Sequence, residues 1–178
     1  ATQIFDRVVA AVVTAFPDVD TRPPVTQAVP GYFAYDDQEG TRRLADFGVL
    51  WNDDDPRTRA RGWAAEHPKR YLAGAVVVGT IDQVLLSSLM VQHAHLRASA
   101  LLRHLLVIDE VHASDAYMTT LLDTVLQFHL DAGGHALLMS ATLGDSARSR
   151  LLRTPARSYS EAAALDYPLI THQIDGTG

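Results

Sequence analysis

Asp109 and Glu110 stand side by side at the end of the apolar run Leu105-Leu106-Val107-Ile108, with His112 two residues further on. Two carboxylates at the tip of an apolar strand are costly unless something cationic sits beside them. The chemistry that fits is phosphoryl transfer. The aspartate holds magnesium, directly or through water, and the glutamate positions and deprotonates an attacking water. Ser140 and Thr142 alternate after a second apolar run, Ala136-Leu137-Leu138-Met139, so both hydroxyls project to one side. Met139-Ser140-Ala141 is no nucleophile elbow, so these hydroxyls read as a hydrogen-bond relay. A third apolar run, Ala75–Val78, ends in Gly79-Thr80-Ile81-Asp82-Gln83. A glycine and a hydroxyl at a helix start suit a nucleic-acid phosphate. Simple capping of that helix is the plain alternative, and both readings can hold.

The elements that must position these groups alternate strand and helix, which implies a parallel α/β sheet. An amphipathic helix is expected over 3–16, with Thr2 as its cap and Phe16-Pro17-Asp18 as its end. Strands are expected near 25–29, 46–51, 75–78, 105–108 and 136–139. Helices are expected over 81–89, 116–130 (capped by Asp115) and 145–153, with a short helical turn before the acidic strand. The apolar run 105–108 fits a strand covered on both faces. Residues 17–70 are the least regular part, with Pro23-Pro24, Pro30-Gly31, the acidic run Asp53–Pro56 and the arginines 57, 59 and 61. Their charge runs read as solvated faces. Residues 167–171 read as a linker or an edge strand. In open parallel sheets ligands bind beyond the carboxyl ends of strands, where all three polar tips fall.

Composition narrows the classes. The 178 residues suffice for one domain, and 47% hydrophobic against 20% charged is globular. A net charge of −6 excludes a wholly basic nucleic-acid clamp and leaves room for a local basic track. The absence of cysteine removes thiolate chemistry and agrees with a reducing, cytoplasmic setting. No apolar run approaches a membrane span. Lys69, the sole lysine, lies in His67-Pro68-Lys69-Arg70 and cannot end a phosphate-binding loop. His93 and His95 lack a third partner at metal-ligand spacing. The chain opens without methionine, directly into a helical pattern, and so reads as a piece of a longer protein.

At these residues the chain resembles superfamily 2 helicases of the DExD/H type. Asp109-Glu110-Val111-His112 matches motif II, and Ser140-Ala141-Thr142 matches motif III. More narrowly, Pro68–Leu72 followed by Val78–Gln83 is similar to the CRISPR-associated helicase–nuclease of type I interference systems. Asp115–Met118 and Ser140–Leu143 fit the same family, and Ala1-Thr2-Gln3 looks like the tail of motif Ia. The match covers about residues 68–152.

The resemblance implies an incomplete first RecA-like domain over 1–155, with 17–70 as a variable segment. Its α/β fold would be a partial RecA-like parallel sheet flanked by helices and lacking the phosphate-loop strand. Residues 156–178 would be a linker towards a second RecA-like domain. It implies a motor on single-stranded DNA that uses ATP and Mg2+ and is recruited by an RNA-guided type I surveillance complex. Asp109 would hold the metal and Glu110 would activate water. His112, Ser140 and Thr142 would couple hydrolysis to movement, while Gly79, Thr80 and Gln83 would contact DNA. Motif I and the His-Asp nuclease signature are absent from this sequence. The chain alone is therefore expected not to hydrolyse ATP. The motif III strand, which pairs with the phosphate-loop strand in such motors, would expose a hydrophobic edge. Two other readings remain open: a non-catalytic interaction or DNA-docking module, and another superfamily 2 helicase.

Overall fold

The computed structural model describes residues 2–42, 48–52, 55–89, 91–102, 104–111, 116–166 and 168–172. The expected positions His112, Asp115, Asp53, Asp54 and Tyr167, and the side chain of Thr2, lie outside the described residues.

Helix α1 (Thr2–Ala15) buries Phe5 and lays Val8, Val9 and Val12 beside it, a helical stripe of period 3.6. The stripe is narrower than the sequence implies, since Ile4, Val13 and Phe16 are substantially exposed. Just past the helix end, Arg22 donates to the carbonyls of Phe16 and Pro17, both at 2.7 Å, and fixes the chain's exit.

That stripe packs on a five-stranded mixed sheet of order β4-β3-β2-β1-β5. Its strands are β1 (Val25–Ala28), β2 (Phe33–Tyr35), β3 (Gln38–Arg42), β4 (Val49–Trp51) and β5 (Val76–Gly79). β1 and β5 are parallel, while β1 to β4 form an antiparallel meander. The meander lies inside the segment read as irregular. Long-range contacts hold it. Tyr35 and Trp51 meet edge to face at 5.0 Å, and a Cβ on Gly40 would lie 2.5 Å from Val49 Cγ1. Helix α2 (Pro56–Gly62) starts at Asp55, whose carboxylate accepts from Arg57 N. Arg61 on α2 corrects the reading of a solvated charge run. It pairs with Asp36 at 2.9 Å and donates to the carbonyls of Arg22 and Val19, stapling α2 to the sheet.

The second half holds the parallel pair β6 (Leu105–Ile108) and β7 (His135–Leu138), in register from Leu105↔His135 to Ile108↔Leu138. Helix α5 (Ala116–Asp131) crosses between them and buries Leu122, Val125, Leu126 and His129. Gly133, at φ +82°, lets the chain turn back, with its N–H donating to Leu130 O. The core under this pair contains Leu72, Leu85, Leu101, Leu106, Ile108 and Leu122. β5 lies between the two cores, with Val77 on this one and Val76 and Val78 on the one beneath α1.

Helix α3 (Ile81–Leu85) is shorter than the expected 81–89, because Ser87 and Ser88 turn their hydroxyls onto the carbonyls of Val84 and Leu85. Helix α4 (Ala94–Leu101) and α6 (Asp145–Leu152) fall near their expected places. Within the segment expected as a linker, α7 (Tyr159–Ala163) is closed by a Ser158/Glu161 capping box.

The α/β layering with flanking helices is therefore present, and its parallel pairs are β1–β5 and β6–β7. The expected coverage of β6 is corrected as well. β6 is not covered on both faces: Leu106 and Ile108 are buried, whereas Leu105 is 63% and Val107 50% exposed. Leu137 on the neighbouring strand and Met139 just after it are exposed as well, and no described helix covers them. Among the described residues β7 pairs with β6 alone, leaving its other edge open.

Candidate functional site: the tip of β6

β6 delivers Asp109 and Glu110 to solvent at its carboxyl end. The tip is braced by main-chain bonds to the end of β7. Met139 N donates to Ile108 O at 2.8 Å, and Val111 N donates to Met139 O at 3.1 Å. These main-chain bonds hold the acidic pair and the Ser140–Thr142 segment side by side.

Glu110 has φ +56°, the left-handed region that a non-glycine residue enters at a cost. Its N–H donates to Asp109 Oδ1 at 2.9 Å, so the aspartate carboxylate helps to hold the bend it precedes. The bend turns Glu110 out of the alternation of the strand and lets Val111 return to the core, where it is buried. On the β7 side, Thr142 N donates to Ser140 Oγ at 3.3 Å. The serine hydroxyl thus accepts a local bond within its own turn. Thr142 is exposed and Ser140 half-buried. His112 lies outside the described residues.

The third polar tip rests on the same core. Val77, Ile81 and Val84 pack against the core cluster that also contains Ile108 and Val111. Gly79 faces Ala28 across the sheet, and a Cβ there would lie 2.6 Å from Ala28 O and 2.8 Å from Ala28 Cβ. This glycine is required by strand pairing, whatever else it does. Thr80 is the N-cap residue of α3 and makes no side-chain cap bond, so the plain capping reading does not account for its hydroxyl. Gln83 is only 6% exposed. Its burial departs from the expected surface contact with DNA, since little of the side chain is open to a ligand.

A magnesium ion takes one or two carboxylates and completes its shell with water and substrate phosphates. Asp109, exposed at the strand tip, fits that partial role. Among the described residues no three His, Cys, Asp or Glu side chains gather as a complete protein cage. The sequence holds no lysine in a phosphate-loop setting, so these residues fit the metal- and water-facing side of a nucleoside triphosphate and not its phosphate cradle. Two open surface recesses among the described residues lie away from the strand tips. One is lined by Ser87, Ser88, Thr124 and Phe128, the other by Asp123, Leu126, Arg150 and Leu151.

Outside the strand tips, His67 and His93 are each held below the usual imidazole range, first by burial and next by the charge of Lys69.

No protein-family profile matches the chain. Curated relatives do. The CRISPR-associated endonuclease/helicase Cas3 of Escherichia coli (strain K12) is 44% identical over 92 residues, 52% of this chain and 10% of that protein. The protein of the same name from Thermus thermophilus is 39% identical over 103 residues, 57% of this chain and 11% of its own length. The CRISPR-associated nuclease/helicase Cas3 of Streptococcus thermophilus is 38% identical over 78 residues. Among solved structures, T. fusca Cas3 is 40% identical over 47% of this chain and 9% of its own, with a TM-score of 0.46. A chain of a CRISPR RNA-guided surveillance complex, pre-nicking, is 29% identical over 84% of this chain and 15% of its own, with a TM-score of 0.47. Over about half its length the chain is similar to the Cas3 endonuclease/helicases, and it spans about a tenth of theirs.

Proposed function

We propose that this chain is part of an ATP-dependent translocase and helicase on single-stranded DNA that acts in CRISPR antiviral defence. Its partner would be an RNA-guided type I surveillance complex and its setting the cytoplasm. No helix among the described residues is long and apolar enough to cross a membrane. The observation that carries the reading is the exposed pair Asp109-Glu110 at the tip of β6, braced to Ser140–Thr142, in a chain 44% identical to a Cas3 endonuclease/helicase over 92 residues.

In this reading Asp109 holds Mg2+, which would supply charge neutralisation on the phosphates of ATP when bound. Glu110 orients the attacking water and takes its proton, for which the left-handed turn aims it away from the strand. His112, Ser140 and Thr142 transmit the state of the site to neighbouring elements. Thr80, held at the start of α3 by the pairing of Gly79 with Ala28, touches the DNA backbone. Gln83, being buried, supports that turn from within.

The chain alone carries half of an ATPase site, and its hydrolysis of ATP is expected to be negligible because no group cradles the β- and γ-phosphates. Turnover at ordinary motor rates that disappears in Glu110→Gln would sink this part of the proposal. The exposed face of β6 and β7 favours a second reading, a docking module without catalysis. Nucleotide-independent binding by an intact parent that never hydrolyses ATP would select it.

A further inference from the structure

After α6 the chain turns back along the helix it has just left. Arg153 takes φ +54°, a left-handed turn that a non-glycine residue enters at a cost. Thr154 N then donates to Ser149 O at 2.9 Å, which closes the reversal against the end of the helix. Residues 154–158 are exposed and form neither helix nor strand, so their return course needs an anchor of its own.

That anchor is Asp145, at the start of the same helix. Its Oδ1 accepts from Arg148 Nη2 at 2.7 Å and from Arg148 Nε at 3.0 Å. Its Oδ2 accepts from the main-chain N–H of Arg157 at 2.8 Å and from Ser149 Oγ at 3.4 Å. The Arg157 guanidinium adds an ion pair at 3.7 Å. Bonds to an ionised group are about twice as strong as neutral ones. The Arg148 bonds first, and the Arg157 N–H next, hold the Asp145 carboxyl below its usual range. One carboxylate thus fixes a segment twelve residues further on. It is also the first fixed point after the strand tip. Only Leu143 and Gly144 separate it from Thr142, and Met139 before them is bonded through its main chain to Ile108 and Val111. Helix α6 itself is seated on the core through Leu151.

We propose that Asp145 is a latch that docks residues 154–158 on α6 and makes the segment beyond α6 answer to the Ser140–Thr142 loop. Asp145 is then a positioning residue, acting through Arg157 and touching no substrate. The inference deepens the coupling role proposed for Ser140 and Thr142 and rests on that reading. A closed latch holds the segment beyond α6 in one place relative to the strand tips, and an open one frees it. These are the two discrete arrangements that coupling between distant groups requires.

The latch is tested on the 178-residue chain by amide hydrogen exchange. The coupling is tested on the intact parent protein, by ATP hydrolysis and strand displacement measured together. Asp145→Ala should speed exchange over residues 154–158 about tenfold or more, while α5 and β7 keep their protection. Because that change also removes a favourable charge from the first turn of α6, Arg157→Pro serves as a second variant. It deletes the N–H donor and the cation, leaves α6 untouched, and should free residues 154–158 equally. Arg150→Ala, which breaks the pair with Asp123 on the same helix, should change nothing. In the parent, displacement per ATP hydrolysed should fall about fivefold or more in the first two variants, with hydrolysis within about twofold. Arg157→Lys keeps the donor and the charge and should restore displacement. Unchanged exchange over residues 154–158 would overturn the latch. Hydrolysis and displacement falling together, or displacement per ATP unchanged, would overturn the coupling and leave a structural contact. An unsubstituted parent that hydrolyses no ATP would instead remove the ATPase reading, and the coupling with it, whatever the exchange result.

Discussion

Gly79→Ala adds one carbon at the place where β5 meets β1. That carbon would lie 2.6 Å from the Ala28 carbonyl oxygen and 2.8 Å from Ala28 Cβ. Neither atom belongs to a flexible side chain. Relief has to come from the strand pairing itself, whose register places Gly79 opposite Ala28. Overpacking of this kind costs about 1–3 kcal/mol. With a urea m-value of about 2 kcal/mol/M, a loss of about 2 kcal/mol moves the midpoint down by about 1 M. The assay is urea unfolding of the 178-residue chain followed by circular dichroism. Thr80→Val, one residue on, should leave the midpoint within about 0.5 kcal/mol, because its hydroxyl makes no cap bond. An unchanged midpoint in Gly79→Ala would refute the packing argument and return the glycine to a purely ligand-facing role.

Arg61→Ala removes a staple between α2, Asp36 and two main-chain carbonyls, and should cost about 1–3 kcal/mol in the same denaturation assay. Leu106→Ala should cost about 2–5 kcal/mol, while Val107→Lys on the exposed face of the same strand should stay within about 0.5 kcal/mol; equal costs would mean that this face is covered. Acid titration should weaken the fold as pH falls below about 6.5, because His67 and His93 have folded values lowered from the unfolded one. The groups acting on them are Lys69, Arg42, Arg70 and His93 for the first, and Lys69, Arg97 and His95 for the second. In the folded chain they take up their protons later, so stability is present above that pH and lost through the folded values. A chain equally stable at pH 5 and pH 7 would contradict those environments. At more acid pH, Asp145 loses the Arg148 and Arg157 contacts that hold its carboxyl below the usual range, and thermal melts of Asp145→Asn should lack that acid-side loss.

The sequence made legible those elements whose apolar positions repeat over enough residues. Phe5, Val9 and Val12 repeat along a helix, and Leu105–Ile108 and Ala136–Leu138 run as short apolar strands. β2 and β3 escaped because three residues and a polar Gln-Glu-Gly-Thr-Arg run have no such signal. Their stability comes from Trp51, Tyr35, Asp36 and Arg61, which are far apart in the chain. The α7 capping box was readable in Ser158-x-x-Glu161, whereas the open face of β6 was not, since Leu105 and Val107 are as apolar as Leu106 and Ile108. At the site, an apolar run ending in two acids announced the strand tip. The left-handed turn at Glu110 had no glycine to signal it, and the burial of Gln83 depends on packing around α3.

The central claim is that Asp109 and Glu110 are the metal- and water-handling half of an ATPase site. ATP hydrolysis by the intact parent protein tests it most directly, compared between the unsubstituted protein and Glu110→Gln, with nucleotide binding measured alongside. The account predicts hydrolysis lost and ATP binding largely kept. A Glu110→Gln protein that still hydrolyses ATP at the parent rate would contradict it.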